Sequence, residues 1–330
     1  MRSARLSLAL ETGALSLPSE GLIAVYRPVL GDDLSDLPAD RVVVLTGFKP
    51  DHDHFAGRYA ISAAPPYAAA IVCLPRSREA GRALIAQAAA EVAPGGWVAV
   101  DGQKTDGIDT ALKDLRGRVD LSESLSKAHG KLASFSVGAD LSDWQARPST
   151  VDGFQTLPGI FSADGPDRGS VLLAQALPVK LSGKVADLGA GWGYLAAEIL
   201  KRPGVKRLDL VEAEADALVC ARVNVTDDRA RFHWADATSF RPDTLLDAVV
   251  MNPPFHTGRT ADPALGAAFI RAARRMLAPN GSLWMVANRH LPYDAVLTES
   301  FLTAEDVAGD GGFRVIHATK PRRDPLRAKP

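Results

Sequence analysis

Two short runs in the second half of this 330-residue chain hold residue types able to do chemistry. The first, Asp187-Leu188-Gly189-Ala190-Gly191-Trp192-Gly193, follows the apolar stretch Lys184-Val185-Ala186 and opens the helix-like run Tyr194 to Leu200. Glycine there permits positive φ in a tight turn and lets a ligand approach main-chain N–H groups at a helix start. Dinucleotide folds use the same device, so the loop alone leaves its ligand open. Asp187 narrows the choice. A carboxylate at the strand end can hold an ammonium group, which S-adenosylmethionine carries, and repels a pyrophosphate. Glu212, 25 residues on, closes the next apolar stretch, where an acid can accept hydrogen bonds from ribose hydroxyls. Asp236 ends the third stretch, placed for an adenine amine. The expected donor site is therefore Asp187, Gly189, Ala190, Gly191, Gly193, Glu212, Asp236 and its neighbour Ala237, with Asn252 on its border.

The second run is Asn252-Pro253-Pro254-Phe255-His256, directly after Leu246 to Met251. Two prolines fix φ and hold the residue before each in extended geometry, giving a stiff loop that aims Asn252. A base amine is a poor nucleophile because its lone pair is delocalised into the ring. Two acceptors, the Asn252 side-chain oxygen and the Pro253 carbonyl, can take its N–H bonds and favour the pyramidal nitrogen of a transition state. Methyl transfer then needs in-line positioning more than a strong base. Phe255 can stack on a splayed base, with His256 beside it. The expected catalytic set is Asn252, Pro253, Pro254 and Phe255. On the plainer reading Asn252 is a turn residue, the prolines end a strand and Phe255 fills the core.

Positioning these residues requires a sheet. Six apolar stretches, ending near Leu188, Glu212, Trp234, Met251, Asn288 and Thr319, read as strands, with helices between the first five. The last follows Gly309-Asp310-Gly311-Gly312 and reads as the second arm of a hairpin. Strands alternating with helices imply a mostly parallel sheet covered on both faces. The first half repeats the plan. Pro94, Gly96, Asp109 and Leu112 match Pro279, Gly281, Asp294 and Leu297 at one offset of 185. Length and repeat together predict two tandem Rossmann-like α/β domains, residues 1–148 and 149–330, meeting near Pro148.

The bulk composition sets further bounds. No run approaches the ~20 apolar residues of a membrane span, and the N-terminus lacks the pattern of a secretory leader, so the cytoplasm is expected. Cys73 and Cys220 give neither a disulfide framework nor zinc spacing. A formal net charge of −1 does not advertise nucleic acid. Positive charge does gather at the end, in Arg314, Lys320, Arg322, Arg323, Arg327 and Lys329 against Asp324, as a contact tail or a solvated terminus. Asp51-His52-Asp53-His54 reads as a solvated loop, since consecutive side chains cannot all face one ion. Arg271, Arg274 and Arg275, at helical spacing, read as a wet helix face or an RNA contact.

With both runs in view, the chain resembles the bacterial ribosomal RNA small-subunit (guanine-N2)-methyltransferases, a family of class I S-adenosylmethionine-dependent methyltransferases. The resemblance covers nearly the whole chain. It is carried by Leu157 to Ser162, Asp167 to Leu173, Asp187 to Gly193, Asn252 to Gly258 and Val286 to Leu297. It implies a degenerate first copy serving structure and RNA docking, S-adenosylmethionine as donor, and ribosomal RNA or the small subunit as partner of a monomer. It also implicates Phe161, Ser162, Asp167 and Ser170, beside Phe255 and His256, at the substrate. Ala190 and Trp192 depart from the family's smaller or Cys-containing loop, and Glu212 replaces a common Asp. In the first copy, Cys73-Leu74-Pro75-Arg76 stands at the tetrapeptide's place, and Val43 to Pro50 lacks the glycine loop, so that copy is expected to bind no donor. Other readings stay open at this point: a large-subunit guanine, adenine N6 or protein glutamine as acceptor, a non-catalytic RNA-binding assembly factor, or an NAD-dependent enzyme.

Overall fold

The structure, a computed structural model, describes residues 2–254, 256–257, 260–261 and 263–323, with main chain alone at 256, 257, 260 and 261. The chain divides into two compact units, one reaching Pro148 and including Leu157–Gly159, the other holding Ser149–Thr156 and the chain from Ile160. Among the described residues no helix is long and apolar enough to cross a membrane.

The first unit runs α1 (Ser3–Glu11), β1 (Ile23–Tyr26), β2 (Val42–Leu45), α2 (Lys49–Phe55), β3 (Tyr67–Cys73), α3 (Arg78–Glu91), β4 (Val92–Gln103), α4 (Ile108–Arg116), β5 (Leu125–Lys127) and β6 (Gly130–Ser136). Its sheet has the order β2-β1-β3-β4-β6-β5, parallel through β4 and antiparallel beyond. Pro50 in the first helical turn starts α2, so Asp51 to His54 lie on a helix and not in the expected loop. The described residues contain no cluster able to hold a metal ion.

The second unit continues with β7 (Ser149–Val151), β8 (Phe154–Thr156), α5 (Arg168–Ala176), β9 (Gly183–Leu188), α6 (Tyr194–Leu200), β10 (Val205–Glu212), α7 (Ala215–Asn224), β11 (Ala230–Trp234) and β12 (Leu246–Met251). There follow β13 (His256–Thr257), β14 (Thr260–Ala261), α8 (Pro263–Met276), β15 (Leu277–Asn288), α9 (Asp294–Ser300), β16 (Phe301–Gly309) and β17 (Phe313–Pro321). The main sheet has the order β11-β10-β9-β12-β15-β17-β16, and β16 with β17 is the expected hairpin. Alternate residues feed two cores. Ala186, Leu188, Val249 and Met251 pack on one face, while Val185, Leu210, Ala248 and Val250 pack on the other. The helix expected between β11 and β12 is absent. Asp236 instead closes a turn by accepting from the Thr238 main-chain N–H and hydroxyl, and Pro242 follows.

The repeat is structural. α3 and α8 are both 14 residues long and β4 and β15 both 12, each pair starting 185 positions apart. Ala69 pairs with Trp97 and Ala248 with Ser282, which sets Cys73 against Asn252, Tyr26 against Leu188 and Val25 against Asp187. The glycine loop's counterpart therefore follows β1, at Arg27, and not β2 as the run Val43 to Pro50 suggested. Arg27 keeps a positive φ of 52°, close to the 74° of Gly189.

Candidate active site

β9 delivers Asp187 to the carboxyl end of the sheet, in register with Val250 of β12 and Leu210 of β10. Its carboxylate is fully buried, and neither oxygen has a hydrogen-bond partner. Burial, reinforced by the negative charge of Glu212, pushes it up to about 8. A buried carboxylate without a partner is costly on its own. A cation fits there, and the ammonium of an amino-acid-bearing ligand supplies one with three donors.

The loop beyond is held by β10. The N–H groups of Gly189 and Ala190 donate to Val211 O, and that of Gly191 donates to Glu212 Oε2 at 2.7 Å. Those N–H groups are spent within the protein, contrary to the sequence expectation that they would meet a ligand. The glycines serve clearance instead. Gly191 has φ 55° and open space where a Cβ would project. Glu212 also accepts from the Glu214 N–H at 2.8 Å, and burial pushes its carboxyl up. Two N–H bonds leave two of its lone-pair directions for hydroxyl donors. Ala190 and Ala237 are buried, and Asp236 is engaged by Thr238.

Asn252 leaves β12 next to this loop, because Met251 pairs with Leu188. Its side-chain nitrogen donates to Asp167 Oδ2 at 2.8 Å and to Ser170 Oγ at 2.9 Å. Asp167 caps α5, accepting from the Ser170 N–H at 2.9 Å. Three residues singled out separately in the sequence thus meet, and both amide hydrogens of Asn252 are taken. Pro253 is buried and Pro254 exposed. Phe255 lies outside the described residues, as does the side chain of His256.

Phe161 is exposed, and Ser162, at φ 53°, donates its hydroxyl to Gly165 O. Neither is hydrogen-bonded to Asn252. Both carbonyls accept from Trp192 Nε1, at 3.1 and 3.3 Å. Trp192 also packs on Phe154 of β8, and Asn224 links Gln155 N, Gln155 O and Trp192 O. Sequence reasoning marked Trp192 only as a departure. Its size in a loop of glycines was the signal that something large is anchored there.

A parallel sheet of this order closed by an antiparallel hairpin, with a glycine loop and an unpaired acid at its first strand, defines a Rossmann-like methyltransferase unit. The methyltransferase small domain family matches residues 152–317. Ribosomal RNA small subunit methyltransferase C of Pseudomonas paraeruginosa is 33% identical over 284 residues, 82% of this chain and 84% of its own. Its namesake from Alteromonas mediterranea is 31% identical, covering 76% and 72%. The T. thermophilus 16S rRNA guanine N2 methyltransferase, solved with AdoMet and guanosine, superposes with a TM-score of 0.78 at 23% identity, over 92% of this chain and 90% of that one. The chain belongs to the ribosomal RNA small subunit methyltransferase C family.

Proposed function

We propose that the chain transfers a methyl group from S-adenosylmethionine to the exocyclic N2 amine of a guanine in 16S ribosomal RNA. The observation that carries this is the Asn252 amide, pinned through its nitrogen and one strand from the unpartnered Asp187. The relative solved with AdoMet and guanosine supports the same pair of ligands. When bound, S-adenosylmethionine supplies an electrophilic methyl group on a sulfonium.

The protein's own groups do the rest. Asp187 holds the ammonium, and Glu212 takes ribose hydroxyls. The open volume over Gly191 admits the ligand, and Ala190 and Ala237 wall it. Asn252 Oδ1 and Pro253 O accept the two amine hydrogens, so the nitrogen lone pair turns toward the methyl as conjugation with the ring is given up. Phe255 and the exposed Phe161 supply aromatic faces for the flipped base. The first unit, with Val25 and Cys73 in the places of Asp187 and Asn252, serves structure and RNA docking. The setting is the cytoplasm, and the working form a monomer.

Asn252→Ala tests the reading. Turnover on small-subunit RNA should fall by about 10²–10³ while donor affinity, measured by calorimetry, holds within a few-fold. Nucleoside analysis of the product should show N2-methylguanosine. Methylated adenine would move the assignment to another amine, and unchanged turnover in the variant would remove Asn252 from catalysis.

A further inference from the structure

We infer that Asp167 and Ser170 are positioning residues for methyl transfer, acting through Asn252, and are not groups that touch the base. The inference rests on the function proposed above. A side-chain amide has two orientations of similar shape, and only one presents oxygen to an incoming amine. Here the choice is made by the protein. Both hydrogens of Asn252 Nδ2 face acceptors, Asp167 Oδ2 and Ser170 Oγ, so the flipped amide would set oxygen against a carboxylate. A bond to an ionised acceptor is shorter and stronger than a neutral one, and it polarises the amide so that Oδ1 becomes a better acceptor.

Two further observations indicate that this contact is built into the fold. Space for it is kept open by Gly169, where a Cβ would lie 3.0 Å from Asp167 Oδ2 and 3.2 Å from the Phe313 ring. The first unit makes the same contact with different chemistry. α1 precedes β1 as α5 precedes β9, and both helices have nine residues. Arg2, in the N-cap place of Asp167, donates to Leu74 O, the carbonyl just after Cys73, which stands where Asn252 does. Each copy therefore ties the start of this helix to the loop beyond the equivalent strand, β3 in the first unit and β12 in the second. Where an asparagine is present the tie is a carboxylate that orients it. Where none is present the tie is a guanidinium on main chain.

The test compares variants that separate capping from orientation. Asp167→Ser keeps an N-cap oxygen but is too short to reach Asn252, and Ser170→Ala removes the second acceptor. Together they should lower kcat by about 10–100-fold, with donor affinity, KM for RNA and the thermal midpoint little changed. Asp167→Asn should restore activity to within about fivefold of the unaltered enzyme, because one oxygen, Oδ2, makes both bonds and an amide oxygen can replace it. A double variant with unchanged kcat overturns the inference, as does one whose main effect is a raised KM, which would make Asp167 a substrate-binding group. Asn252→Ala separates the two claims. If it is inert while the double variant is silent, only the positioning role fails; if it is fully active, the reading of Asn252 fails with it.

Discussion

Asp187 concentrates the site's electrostatics in one side chain. Burial places its folded-state pKa at about 8, above the ordinary value near 4, so the unliganded fold holds a proton that the unfolded chain has released. Stability therefore declines as pH rises from about 4 to about 8, and this penalty is absent below the unfolded value. Asp187→Asn should flatten that decline and raise the melting temperature at pH 8 more than at pH 5, while abolishing donor binding. The same proton governs affinity. Binding a cationic ligand requires the carboxylate, so the S-adenosylmethionine association constant should rise between pH 6 and pH 8, by up to about tenfold per unit. Calorimetry in buffers of different ionisation enthalpy would detect the released proton; a flat profile would show that Asp187 is already ionised.

Between residue and domain lies the short hairpin β7–β8, whose main chain is held by one side chain at Gln155 while Phe154 packs on Trp192 and Tyr194. Asn224, the last residue of α7, bonds both the N–H and the carbonyl of Gln155 and also Trp192 O. Trp192 in turn holds the segment carrying Phe161. Asn224→Ala should cost about 1–3 kcal/mol by leaving these groups without partners. Hydrogen exchange should accelerate first at residues 149–163. Because the Phe161 segment loosens with it, KM for RNA should rise more than kcat falls. Gly193 sets the neighbouring constraint, with φ 95° and a Cβ position 2.8 Å from Val225, so Gly193→Ala combines backbone strain with a clash at the start of α6.

Across the whole chain, two sheets of one plan differ in chemistry. Val25 stands in the place of Asp187 and Cys73 in that of Asn252, so on the proposed function calorimetry should find one donor site per chain. A stoichiometry of two would show that the first unit still binds. The α1 segment brings charges of its own into the first unit. Arg5, fully buried, donates twice to Asp101 and to the Lys127 and Ala128 carbonyls. Arg5→Met should cost about 3 kcal/mol, because the Asp101 carboxylate loses its principal partner. Burial already raises the Asp101 pKa, so protonation offsets part of this cost at low pH, and the loss should shrink as pH falls. Chemical denaturation followed by exchange in the first sheet would register it. Each arginine of α8 has a partner within the protein. Arg271 pairs with Glu299, Arg274 donates to Arg322 O and Arg275 to Thr238 O.

The sequence by itself determined the doubled α/β plan, because continuous apolar strands, helix periodicity and a constant offset are local properties that survive without knowledge of contacts. It also singled out two loops by their chemistry, since glycine frees φ and proline fixes it wherever they stand. It misjudged Asp51 to His54, where a proline starts a helix, and the span after Asp236, where a side-chain bond replaces one. Only the tertiary structure decided the state of each polar group. Whether the loop's N–H groups are spent on β10, whether Asp187 is left without a partner, and which end of the Asn252 amide faces Asp167 depend on groups tens of residues apart. Hydrogen bonds are directional and burial is collective, so neither is written in any one segment.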